Sequence, residues 1–503
     1  MPSSRRSSRY VIPVGSSSAS PGPSRRSSSA AKTFKVDELA EVDTDPINAA
    51  STLHIWALGM VVVMGGQLYG WNVALTTGFL PFFLSQVLTD AAYVVYMSSA
   101  AEVAGKIAFS GGSYGLARIT IGYYAGFLVG YLELLEYIAA SSVSVSYVSN
   151  FVVDAVDAPP ESAPAVMAAV YAGMIGFFLL PGWYYWRGLV LLAVLCLLPA
   201  LLAILGGVAS ADLGFYGAFA ADRVSQFNGT GDKVWAMGDL HSAYFAWLPY
   251  TTWAFAGIES LTLVTSMAST PKTTLPRGIL AATATLFVTN IALLLIVPAQ
   301  PPGIVACTSD TFPLNTAMAH FGISDAAGQW LILPAQVGMA AGFILPYTRL
   351  TQALANSNLL PPILGLKHTK SLAKPMVFAS FFGYLLCLLG YFALAFESST
   401  QNIFILAGTF CYGAQLLGFV MLRTRYHTES NGFVSPFGLG GVVFAGIVFG
   451  MIAISIVGGF QGDDGIAAIS LMLFVILLSV YYHGHCKHHQ SLSKDEYAST
   501  PSG

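Results

Sequence analysis

From Leu53 to Thr89 the chain carries no Asp, Glu, Lys or Arg. About 20 apolar residues suffice to cross a bilayer as a helix. Further apolar stretches follow, and twelve spans are read in all: 53–80, 87–108, 120–151, 164–182, 187–208, 243–267, 278–298, 329–353, 375–395, 402–422, 437–458 and 465–483. Hydrocarbon leaves no partner for free backbone N–H and C=O groups, so such a chain folds as a bundle of membrane helices. The composition agrees, with 55% of the 503 residues hydrophobic and 9% charged, against about a quarter charged in soluble domains. A soluble enzyme and a nucleic-acid-binding module are both excluded by that balance.

The distribution of charge gives the topology. With both termini placed inside, all but two of the 22 lysines and arginines fall on the inner side, the exceptions being Arg223 and Lys233. This is the positive-inside pattern, repeated across every loop. Residues 1–50 are Ser-rich, with Arg5-Arg6-Ser7-Ser8 repeated as Arg25-Arg26-Ser27-Ser28. They read as a disordered cytoplasmic tail, with an organellar transit peptide as the alternative. The remaining divisions are 51–208 and 243–422 as two five-helix halves, 209–242 as an extracellular loop, 423–484 as helices 11 and 12, and 485–503 as a cytoplasmic C-terminal tail. Asn228-Gly229-Thr230 in that loop is a glycosylation sequon, which points to a plasma membrane.

Two places interrupt the apolar pattern. Span one contains Met64-Gly65-Gly66-Gln67-Leu68-Tyr69-Gly70-Trp71-Asn72, and span six contains Pro249, Trp253, Gly257 and Glu259. Glycine weakens a helix and polar groups are costly in hydrocarbon. Matched interruptions at the start of two halves point to broken helices around a midplane site in an inverted repeat. A helix-packing face is the alternative reading of the glycines. A break offers amides to a carboxylate and carbonyls to an ammonium, so it suits a zwitterionic amine. Glu259 reads either as a substrate contact or as a brace for the second half-helix.

These residues resemble the amino acid–polyamine–organocation superfamily, and most closely its ethanolamine permease-like branch. The likeness rests on Gly66, Tyr69 and Gly70-Trp71-Asn72, on Ala101-Glu102, Ser110-Gly111-Gly112-Ser113-Tyr114 and Ala117-Arg118, and on Glu133-Leu134-Leu135-Glu136-Tyr137. It continues through Trp253, Ile258-Glu259, Thr348-Arg349, Ala353-Leu354-Ala355, Leu359-Leu360-Pro361 and Ser435-Pro436-Phe437-Gly438. The resemblance implies an all-α, leucine-transporter-type fold of twelve transmembrane helices, a 5+5 inverted repeat with helices 1 and 6 broken and two helices added. It further implies a secondary transporter of small amino acids or related amines, ethanolamine among them, working by alternating access. The substrate would lie on Gly65, Gly66, Gln67 and Tyr69, and on Phe255, Ala256, Gly257 and Ile258. Trp253, Glu259 and Tyr412 are candidates for a gate or brace. The chain departs from the pattern at Gln67, where branch relatives tend to carry an acid, and at Val264–Met267, where many do. Span five lacks the lysine of some proton-coupled relatives, and span eight lacks the paired Ser/Thr used for sodium.

Glu133 and Glu136 fall about 20 Å into span three at about 1.5 Å per residue. Three apart, they share one helix flank, and two close carboxylates disfavour double ionisation. They are candidates for proton coupling, with H+ as coupling ion. A packing hydrogen bond is the alternative. Glu102 and Lys106 read as a local helix pair. Tyr412 and Gln415 in span ten read first as a packed helix interface. The cluster His483, His485, Cys486, His488 and His489 reads as a solvated tail, so no metal and no cofactor are called for. The five cysteines show no paired spacing. Beside lipid, the partner expected is a small amine or amino acid. An enzyme reading fails for want of a nucleophile with a base or a metal triad. A membrane sensor that binds amine without moving it is the alternative function.

Overall fold

The computed structural model describes residues 49–107, 111–220, 233–366, 371–425, 432–462, 465–493 and 496. Nearly all of the N-terminal tail and the Asn228 sequon lie outside these residues. The spans are helices Thr52–Leu68 continued by Trp71–Thr77 (span one), Phe79–Lys106, Tyr123–Ala155, Ala163–Phe178 and Gly182–Gly207 (spans two to five). Span six is three short pieces, Leu240–Trp247, Pro249–Ala254 and Ile258–Met267. Span seven is Pro271–Ile296, and span eight is Asp325–Gly342 followed by Ile344–Asn356. Ala373–Phe392, Leu394–Thr424, Gly438–Val457 and Ile466–Tyr481 complete spans nine to twelve. A short helix, Gly112–Thr120, joins spans two and three on the side of the bundle where span one begins, which is called the inner side below after the expected topology.

Among the described residues ten helices are individually long and apolar enough to cross a membrane, and the two pieces of span one, bent by 41°, make an eleventh. Span six completes the twelve only as an interrupted segment, since none of its pieces is long enough alone. Three spans start well before the expected boundary: span two at Phe79, span seven at Pro271 and span ten at Leu394. The apolar criterion clips polar first turns such as Pro271–Arg277, where proline at the first helical position costs no hydrogen bond.

Span one packs against spans five, seven and eight. Small residues let it approach closely. A Cβ on Gly59 would lie 2.8 Å from Ala282 Cβ in span seven, and one on Gly338 of span eight 3.2 Å from Val61 O. Ser51 starts span one with a reciprocal cap: its Oγ accepts from His54 N, and His54 Nδ1 accepts from Ser51 N. Just before it, Ala50 N donates to Met267 O at 2.7 Å, which ties the start of span one to the end of span six. On the outer side Asn72 Nδ2 donates to Cys307 O (2.6 Å) and Asp310 O (2.7 Å), fastening the loop after span seven over the bundle. The outer loop pairs Phe219–Ala220 antiparallel with Lys233–Val234.

Candidate functional site

The break in span one falls later than the sequence suggests. Gly65, Gly66 and Gln67 are still helical, and the helix ends at Leu68. Tyr69 is extended and Gly70 turns left-handed at φ 79°. The glycines serve close approach instead: a Cβ on Gly66 would run into the carbonyl of Trp253 in span six. In span six the chain turns at Gly257, φ 99°, a conformation that favours glycine. The last turn of span one, which meets Trp253 of span six, leaves carbonyls without helical partners.

Between the two breaks lies a small chamber. Spans one and six contribute Gly65, Gly66, Tyr69, Trp253 and Ala256. Its far wall is Ala140, Val143 and Tyr147 of span three, with Gln336, Met339 and Phe343 of span eight and Gln401 and Phe404 of span ten. Water centres have only about 40 Å³ there. Among the described residues no Asp, Glu, Lys or Arg lines it. Two lining side chains hold buried polar atoms without a hydrogen-bond partner: the donor Trp253 Nε1 and the acceptor Gln336 Oε1. Gln336 Nε2 points to Gly65 O at 3.5 Å. Toward the outside, Tyr69, Tyr147 and Gln336 also border a vestibule where water centres have about 510 Å³. Tyr69 meets Tyr147 edge-on at 5.2 Å and lies 5.9 Å from Phe312.

Acids lie on the inner side of the chamber, one helical turn along span three from Ala140. Glu136 Oε1 accepts from Tyr412 Oη at 2.6 Å, and the Glu136 carboxyl group faces that of Glu259. Gly408 makes room for that carboxylate, since a Cβ there would strike Glu136 Oε1. Glu133 accepts from the backbone N–H of Ser113 (3.4 Å) and Tyr114 (3.1 Å), so it caps the Gly112–Thr120 helix, and from Tyr137 Oη at 3.1 Å. Glu259 takes the Gly257 N–H on both oxygens, at 3.1 and 3.2 Å. Gln415 accepts from Tyr96 Oη and Ser113 Oγ at 2.7 and 2.8 Å, an interhelix bridge inside the inner half. Below these, Glu102 binds Arg423 Nε at 3.0 Å, Lys106 Nζ at 2.8 Å and Ser435 N at 2.8 Å. Water centres have about 30 Å³ in the inner pocket beside Gly112 and Thr265.

A chamber between two interrupted helices of a twelve-span bundle is the arrangement of a carrier, and the amino acid permease family model matches residues 50–491. The chain belongs to the amino acid permease family. An uncharacterized transporter of Rhizobium meliloti is 26% identical over 243 residues, 47% of this chain and 49% of that protein. An uncharacterized transporter of Mycobacterium bovis is 27% identical over 295 residues, 56% of this chain and 60% of that protein. The permease thus spans about half to three-fifths of the curated relatives it matches. Its fold is similar to a manganese transporter of Eremococcus coleocola solved with an aromatic bis-isothiourea compound, with TM-score 0.51, 13% identity, and coverage of 91% of this chain and 98% of that one. The permease is therefore an integral, multi-pass membrane protein of a transporter family.

Of the substrate residues expected from sequence, Gly65, Gly66, Tyr69 and Ala256 border the chamber of the permease, as does Trp253. Gln67, Phe255, Gly257 and Ile258 do not. Gln67 Nε2 donates to Ala254 O (2.9 Å) and Leu286 O (3.0 Å), and its Oε1 accepts from Thr289 Oγ1 (2.7 Å), so it staples the span-six break to span seven. Phe255 is turned away and stacks on Tyr93 at 5.2 Å. Sequence reasoning missed the whole far wall. It also missed Asp90, a buried acid of span two that accepts from Gln86 Nε2 (2.7 Å) and Asn290 Nδ2 (2.8 Å). An acid inside an apolar span was the available signal. Among the described residues no group of His, Cys, Asp and Glu could hold a metal, and His485 stacks on His489 at 4.4 Å.

Proposed function

We propose that the permease moves small zwitterionic amino acids or closely related amines by alternating access, coupled to protons, in the plasma membrane with both termini cytoplasmic. The observation that carries this is the chamber: uncharged side chains, with one unpaired donor on Trp253 and one unpaired acceptor on Gln336. A carboxylate takes the indole N–H, and an ammonium takes the amide oxygen and the carbonyl end of span one. A zwitterion brings no net charge into that apolar space, whereas ethanolamine brings an uncompensated cation. The substrate is therefore an amino acid ahead of ethanolamine. The volume and the apolar far wall favour a small side chain.

Glu136 is the proton carrier in this reading. It lies one turn from the chamber with its carboxyl facing Glu259, a pair of acids placed to share a proton, and Glu133 stands one turn further along the same flank. The orientation rests on the inner concentration of lysine and arginine. Counter-flow in proteoliposomes, with a panel of amino acids, ethanolamine and choline under imposed sodium and pH gradients, tests the assignment. Exchange of small neutral amino acids, driven by a pH gradient and lost as a driven process in Glu136→Gln, is the expected result. Uptake of Glu136→Gln that still follows the pH gradient removes the proton role. Exchange of choline or ethanolamine alone removes the amino acid.

A further inference from the structure

After span twelve the chain does not leave the inner face. Ser491 N donates to Ser357 O at 3.2 Å, and Asn358 Nδ2 donates to Ser491 Oγ at 2.8 Å. Arg118 Nη2 donates to Ser491 O at 2.7 Å. Glu496 is fully buried. Its carboxylate accepts from Tyr114 Oη (2.7 Å), Ser357 Oγ (2.8 Å) and Ser493 N (2.7 Å), and lies 3.3 Å from Arg118 Nε. Ser493 Oγ in turn accepts from Glu496 N, so the two residues are bonded reciprocally. Residues near a chain end are usually loose unless tied down, and a buried ion pair is costly to dismantle from one side.

What Glu496 grips is informative. Tyr114 and Arg118 belong to the Gly112–Thr120 helix, and Ser357 follows the inner half of span eight. The N-terminus of that same helix is held by Glu133, and Gly112 sits against the inner half of span six, where a Cβ would lie 2.8 Å from Leu263 Cδ2. One short helix of nine residues therefore connects the tail to the acid cluster and to a broken span.

We propose that these tail residues are a latch on the inner side of the permease. Docked Glu496 holds the Gly112–Thr120 helix against Glu133 and span six and slows inner opening, and release of the tail speeds turnover. The latch rests on the alternating-access reading but on no particular substrate. Hydrogen exchange on the purified full-length permease tests it without transport. Glu496→Ala is expected to speed exchange at amides 112–120 and 258–267 by about 10-fold or more, as loss of charge-assisted hydrogen bonds implies. A chain ended after Gln490 is the second variant, with the same expected pattern should Glu496→Ala fold poorly. In proteoliposomes both are expected to raise the maximal uptake rate, by about two- to fivefold, with KM unchanged. Exchange that quickens only within 482–493, or uptake that falls or stays constant, overturns the latch. Absence of any amine uptake in the wild-type protein overturns the carrier reading instead, and leaves the exchange result to decide the latch.

Discussion

The two sides of the chamber are closed by different chemistry. On the outer side the barrier is rings: Tyr69 against Tyr147 and Phe312, with Gln401 Nε2 donating to Tyr147 Oη at 3.1 Å. Such aromatic pairs contribute about 0.5–1.5 kcal/mol each and re-form in many geometries. On the inner side the barrier is charge, with Glu102 gripping Arg423, Lys106 and the Ser435 amide, and Glu133 capping a helix. Hydrogen bonds to a charged group contribute about 1.5–3 kcal/mol each and hold a defined geometry. The water space agrees, about 510 Å³ in the vestibule against about 30 Å³ within. In the proposed alternating-access cycle the outer door would therefore turn on side-chain rotation, while the inner one would need polar networks to come apart together.

The sharpest challenge to that contrast is at the hinge both sides share. Gly66→Val should reduce uptake by at least about 100-fold, because span six must shift by an ångström or more to admit the side chain. Radiotracer uptake by correctly inserted protein reads it, and near-normal transport would mean the two breaks do not work as one joint. Next in size, Arg423→Ala should destabilise the inner-closed state by about 1.5–3 kcal/mol, because Glu102 loses the guanidinium but keeps Lys106 and the Ser435 amide. Thermal unfolding with thiol labelling at an introduced Thr265→Cys reads both stability and inner access, and unchanged labelling would show that charge does not close that side. A smaller effect is expected from Trp253→Phe, which removes the unpaired donor of the chamber. KM for a neutral amino acid should rise about 10-fold while that for ethanolamine moves less, as competition uptake would show. Least of all, Tyr147→Phe should alter uptake rates by about threefold or less, since it removes the Gln401 hydrogen bond and keeps the ring contact. A larger drop would place a polar lock on the outer side too.

The spans and their order were legible because hydrocarbon allows little else: a long uncharged run has to be a helix. The break of span six was legible from Pro249 and Gly257 for the same reason. The register of the first break was not. Glycine has two uses in a membrane helix, and at Gly65 and Gly66 it grants close approach while the hydrogen bonding continues. Gln67 misled for a related cause. A polar group at depth needs partners, and the sequence could not say that Ala254, Leu286 and Thr289 would supply them all. The far wall was invisible because Val143, Met339 and Phe404 are ordinary apolar residues, and only the fold brings spans three, eight and ten to one place.

The backbone seam where Gly66 touches Trp253 divides the chamber into a rigid half and an adjustable one. Any side chain grafted onto the seam jams the hinge, so selection has little freedom there. Val143, Met339 and Phe404 stand opposite and can change size without disturbing the motion. Relatives that carry larger or smaller cargo should therefore differ on spans three, eight and ten, and engineers wishing to retarget the carrier should begin on that wall.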